Sequence, residues 1–427
     1  MQLLSSRTFR AAVAGAAVLG LFLTGCTADP EFSYEPPAQV DGPLPDDTVA
    51  AMEAAVANAL AASGASGAVV GVWAPWSGSW VAGLGTQTPG GDDEISTDMA
   101  FRIADMTRLM TCDVLYGLAD DGVLGLDDPV PDHVSGVADM KDVTLLDLCN
   151  STSGVGSSEA TAQAAWYTTP ERVWAPLELA SYGLGAPRAT AKTTYTNSDA
   201  GYLLLGLALE RATGRTASEL IAEYVTQPLG LSATSLPSPA PAAPSDGPVM
   251  NGHYLPAVEG GYDCAAPVDI TTLSSSTGYT DSGVVSTIDD LGRYAQAEAA
   301  QKLRTEDEPN RFGAPLPQDP QAPSWLQATG GALLVGSMIG QSGWTPGYQT
   351  SAYSDPETGF TVAVSLNNST TAGTTAMYLA WELAAIASKV PAAEGQTAPE
   401  FGLPFTAEQY HQAITDSAIP CVAPPAA

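Results

Sequence analysis

Apolar positions fall in blocks whose spacing changes along the chain. Arg7 and Arg10 precede an apolar stretch over residues 11–23, which ends in Thr24-Gly25-Cys26. The stretch is too short for a spanning helix. A basic start, a short apolar run and small residues together form a secretory signal. Residues 26–45 hold Pro36, Pro37, Pro43 and Pro45 with few apolar side chains, the composition of a spacer. Asp46 or Asp47 is placed to cap a helix reaching about residue 62, with Gly64 and Gly67 ending it. Residues 68–73 and 79–82 read as two strands joined by a turn.

In the middle of the chain the period becomes helical. Leu109, Cys112, Leu115, Tyr116 and Leu118 predict a helix over 107–122. A short helix is expected at 145–149 and a long one from Asn197 to near Gly214. The near-continuous run from Leu203 to Leu209 implies burial of the long helix on more than one side. Residues 237–248 form a Pro/Ala/Ser-rich loop, 288–300 a helix, and 306–323 a pause rich in Pro and charge. Residues 332–336, 348–353 and 360–366 predict antiparallel neighbours, followed by a helix over 374–386. Strands at both ends of a helical middle point to an α+β fold with one sheet built from the two ends. Residues 46–390 form its domain, and 391–427 a C-terminal extension.

Composition narrows the partners. The 427 residues are 45% hydrophobic and only 15% charged, which reads as globular. Acids outnumber bases 47 to 15, for a net charge of −32. Such a surface repels nucleic acid and anionic headgroups, although scattered acids serve solubility first. Leu23-Thr24-Gly25-Cys26 resembles a bacterial lipobox. That resemblance implies an exported protein cleaved after residue 25 and held to the outer face of the bacterial cytoplasmic membrane by lipid on Cys26. Four cysteines then remain: Cys112, Cys149, Cys264 and Cys421. An even number in an exported protein suggests two disulfides, with three possible pairings. With no C-x-x-C pattern and three scattered histidines, no metal site or cofactor is expected. His133, His253 and His411 read as surface or capping residues. Trp166, Tyr167, Trp174 and Trp344 could line a cleft or fill the core.

Six blocks carry a resemblance. They are residues 99–108, 119–130, 143–154, 195–206 with 228–231, 282–291, and 343–348. In this order they resemble the β-lactamase-related serine hydrolases, which include class C β-lactamases, DD-peptidases (penicillin-binding proteins) and esterases. The resemblance implies the β-lactamase/transpeptidase-like fold, with a cleft between an antiparallel sheet and an all-helical region. It also favours Cys112–Cys149, leaving Cys264–Cys421.

The family's chemistry starts from Ser-x-x-Lys opening a helix, where one turn brings the amine to the hydroxyl. Here those positions hold Asp105 and Arg108. A guanidinium stays protonated and cannot act as the base. The four lysines are Lys141, Lys192, Lys302 and Lys389, and three residues before them stand Ala138, Ala189, Ala299 and Ile386. No Ser-x-x-Lys exists under any alignment. The second motif, Tyr-x-Asn, is met by Tyr195 and Asn197; in the family the Tyr moves protons and the Asn binds a substrate amide. The third, Lys-Thr-Gly or His-x-Gly, has become Gln341-Ser342-Gly343, which supplies no charge. Backbone N–H groups near Asp105 and Trp344 correspond to the family's oxyanion hole, which an Asp105 carboxylate would block. Tyr195, Asn197, Gln341, Ser342 and Trp344 are the candidate ligand-binding residues.

The reading is a surface lipoprotein that forms no acyl-enzyme. Its cleft is expected to bind a peptidoglycan peptide or an envelope protein. The rivals are a hydrolase using other groups around Tyr195, Asp105 itself as nucleophile, and a structural envelope component with no ligand.

Overall fold

A computed structural model describes residues 34–137, 139–304, 310–400 and 402–422. The signal segment and Cys26 lie outside them. The elements that position the site are, in chain order, α1 (Asp46–Ser63), β1 (Gly67–Ala74), β2 (Gly78–Gly85), α2 (Met106–Asp120) and α3 (Leu145–Cys149). There follow α4 (Glu159–Thr168), α5 (Asp199–Thr213), α6 (Tyr279–Ser282) and α7 (Ile288–Ala299). The last third supplies β3 (Leu316–Pro317), β4 (Leu326–Thr329), β5 (Ala332–Val335), β6 (Met338–Thr345), β7 (Tyr348–Ser354), β8 (Thr361–Leu366), α8 (Thr374–Ala387) and α9 (Ala407–Asp416).

The eight strands form one antiparallel sheet in the order β3-β4-β5-β6-β7-β8-β1-β2. The N-terminal hairpin thus joins the C-terminal strands through β1 and β8, with Val70 opposite Val364. The pleat sends alternate side chains to opposite faces. Ala68, Val70 and Val72 join one core with α1 and α8, while Val69 faces a second core with α2 and α5. α2 runs through that second core and is buried along most of its length.

Several local features differ from the sequence expectation. Pro45 is the N-cap of α1, so Asp46 and Asp47 sit in its first turn. There they interact with the helix dipole instead of capping it. The three expected C-terminal strands are not all neighbours, because β6 lies between β5 and β7. Gly340 and Gly343 interrupt the alternation that would have marked it. Residues 34–45 are not a free spacer. Tyr34 and Leu44 are buried, and Leu44 N–H bonds Ser79 O at 3.2 Å along the edge of β2. His253 is buried rather than superficial, and burial pushes its pKa down.

Within the expected charged pause, one charge goes inward. Arg311 is buried and pairs with Asp113 and Glu298, each at 2.5 Å. It also donates to the carbonyls of Gly330 and Leu109. Disulfides join Cys112 to Cys149 and Cys264 to Cys421. The first ties α2 to α3. The second ties the C-terminal segment to the body beside Tyr262, whose N–H bonds Pro420 O.

Candidate active-site cleft

The start of α2 is set by a strained residue. Ala104 has φ 50°, in the left-handed region that an L-residue with a β-carbon enters at a cost of roughly 1–2 kcal/mol. This turn carries Asp105 to the N-terminus of α2, facing β6. A β-carbon at position 343 would lie 2.1 Å from Asp105 Cγ, so only glycine fits beside this carboxylate.

Arg108 lies one helical turn on. Its Nη1 is 3.1 Å from Asp105 Oδ2 and donates at 2.6 Å to Asn197 Oδ1. Its Nε donates at 2.8 Å to Asp281 Oδ1 on α6. Its guanidinium also sits over the Tyr202 ring, 5.0 Å from the centroid. Asp105, Arg108 and Asp281 are all buried. Burial opposes the guanidinium charge, but Asp105 and Asp281 more than offset it, and Arg108 stays protonated. Burial pushes both carboxyls up, against the pull of Arg108. One guanidinium neutralises one carboxylate, so a buried cluster with two acids favours a proton on one of them.

Asp105 and Arg108 form one wall of a cavity of about 310 Å³, which Tyr195, Asn197, Gln341, Ser342 and Trp344 also line. The candidate residues from widely separated segments therefore meet in one cleft, between β6 and the helical region. Their side chains face it unequally. Gln341 is closed on the backbone: Nε2 donates to Gly331 O at 2.7 Å, and Oε1 accepts from Ser342 N at 2.8 Å. The Ser342 hydroxyl is held by Ser351 and by Tyr353, each at 2.6 Å. Burial pushes the Tyr195 phenol up, which keeps it protonated. Of the other aromatics, Trp166 is buried and tilted against Trp344, Trp174 is a core residue under Arg172, and Tyr167 stacks on Tyr254.

Three acids at this site escaped the sequence reading. Asp281 stands directly before the family-like block at 282–291, but its bond to Arg108 spans 173 residues. Asp199 begins α5 and accepts from Ser157 Oγ at 2.9 Å, from Ser158 N at 2.7 Å and from Ser158 Oγ. Glu159 begins α4 and lines the cavity. Burial, then Asp199 and Asp281, push its pKa to about 7. Among the described residues, no group of three or more His, Cys, Asp or Glu side chains is placed to hold a metal ion. His133 and His411 instead pair with Asp128 and Glu382.

Fold and cleft together define the penicillin-binding-protein-like class of serine hydrolase scaffold. Residues 52–385 match the family described as Beta-lactamase, and the chain belongs to that family. It is similar to the D-alanyl-D-alanine-carboxypeptidase/endopeptidase AmpH of Escherichia coli (strain K12), 30% identical over 166 residues. That match spans 36% of this chain and 42% of the relative, less than half of each. Among solved structures it resembles a D-stereospecific amidohydrolase from Streptomyces sp., with TM-score 0.67 and 23% identity over 79% of this chain and 98% of the other. It also resembles the octameric penicillin-binding protein homologue from Pyrococcus abyssi, with TM-score 0.66 and 20% identity over 84% and 80%. A third is the D-amino acid amidase from Ochrobactrum anthropi SV3, with TM-score 0.62 and 20% identity over 78% and 94%. At these identities the three structures show the fold alone.

Proposed function

We propose that this protein is a non-acylating member of the beta-lactamase family, a surface lipoprotein whose cleft binds without turning over. The observation that carries the reading is the Asp105–Arg108–Asp281 cluster. The nucleophile position presents a carboxylate bonded to a guanidinium, and the base position holds a group that keeps its proton. In subtilisin, loss of the nucleophile costs on the order of 10⁶ in turnover.

The open cleft beside the retained Tyr195 and Asn197 supports a small ligand, for which a peptidoglycan peptide is the proposed class. The likeness to a D-alanyl-D-alanine carboxypeptidase supports that class. Lipid attachment at Cys26 and a place on the outer face of the cytoplasmic membrane are part of the same proposal, supported by residues 7–26. The test pairs a fluorescent penicillin and a chromogenic ester with purified muropeptides. Saturable muropeptide binding without labelling or turnover supports the reading. Stoichiometric acylation that disappears on changing a particular serine overturns it.

A further inference from the structure

The cleft has a side chamber, bordered by Glu159 and Trp344 where it meets the main cavity. The chamber admits the centre of one water-sized group, about 10 Å³. Three carboxylates border it, from Glu159, Asp199 and Asp281. Thr277 also borders it. Thr277 is 6% exposed, and its Oγ1 has no hydrogen-bond partner among the described residues. The Trp166 indole N–H, likewise buried and without a partner among those residues, borders the chamber as well.

Charge decides what fits. Among the described residues Arg108 is the one cation lining the main cavity; its Nη1 is committed to Asp105 and Asn197 and its Nε to Asp281. Even with a proton on one of those two acids, Glu159 and Asp199 leave the site with an excess of negative charge. Gln341, where the family places its charged residue, offers no cation, and its amide is closed on the backbone. The single Arg108 charge is already shared by Asp105 and Asp281, so it offers no surplus charge to a ligand carboxylate, and burying one here without a counter-charge would be costly. A polar hydroxyl without a partner beside three carboxylates matches a donor-rich cation instead.

Building on the non-acylating reading, we infer that the cleft selects a primary ammonium group, seated in the side chamber against Glu159 and Thr277, on a ligand with no carboxylate nearby. Primary ammonium has the size of a water molecule and three donors. A trimethylammonium group is too large for the chamber. The Trp344 and Trp166 rings add an aromatic face for the cation.

The experiment uses the purified chain at about pH 8, where Glu159 is ionised and an alkylamine is protonated. Saturation-transfer NMR compares n-pentylamine with n-pentanol, pentanoate and trimethylpentylammonium. Pentylamine is expected to bind about tenfold or more tightly than the other three. Glu159→Gln is expected to remove that preference, and Thr277→Val to weaken it severalfold, with both variants shown to be folded by circular dichroism. Equal binding of pentanoate, no saturable binding of pentylamine, or an undiminished preference in folded Glu159→Gln would each overturn the inference. Failure of the non-acylating reading shows separately, as a covalent mass shift with penicillin whatever the amine result.

Discussion

Replacing Glu159 by Gln is expected to stabilise the protein above neutral pH and to leave it unchanged in acid. The Glu159 carboxyl sits in a half-buried position beside Asp199 and Asp281, and its pKa rises from 4.5 to about 7. For an acid whose folded pKa is raised, the folded state binds more protons than the unfolded one between the two values. Stability from this group is therefore fully present below about pH 4.5 and is lost as pH rises to about 7. At about 1.4 kcal/mol per pH unit, the full shift is about 3.5 kcal/mol. Residual solvent contact brings the expected effect to about 1–3 kcal/mol. Gln keeps the shape and never ionises, so it removes this penalty. The assay is urea unfolding of both proteins at about pH 4.5 and about pH 8, with matched m-values. The variant gains stability only at the higher pH. An equal difference at both pH values, or a variant less stable at the higher pH, would refute the argument.

Three further outcomes follow from the same geometry. Arg108→Met strips the shared cation from Asp105 and Asp281 and is expected to cost about 3–5 kcal/mol in urea unfolding, much of it recovered when Asp105→Asn is added. Ala104→Gly relaxes the left-handed turn before α2 and is expected to gain about 0.5–1 kcal/mol in the same assay. Converting Cys112 and Cys149 to Ala opens a 37-residue loop and is expected to cost about 4 kcal/mol by chain entropy.

What the sequence made legible follows from the range of the forces involved. Helices such as α2 and α5 show themselves through local periodicity, and the β1 and β8 strands through runs of β-branched residues. β6 does not, because Gly340 and Gly343 remove side chains from it. Gly343 is there because Asp105 packs where its β-carbon would be, a contact between residues far apart in sequence. The replaced motif at Asp105 and Arg108 could be read directly, since one helical turn brings positions three apart together. Asp281, Glu159 and Asp199 could not, because their meaning arises only where α2, α4, α5 and α6 converge. Arg311 shows the same limit. Its Pro- and charge-rich surroundings resemble a surface loop, yet Asp113 and Glu298 draw it into the core.

The central claim is that the position of the family's nucleophile cannot form a covalent intermediate. Intact-mass spectrometry after prolonged incubation with excess fluorescent penicillin tests it most directly. The unmodified mass is expected throughout, for the native chain and for Asp105→Asn alike. A stoichiometric increment matching the opened penicillin, mapped to any residue lining the cleft, would contradict it.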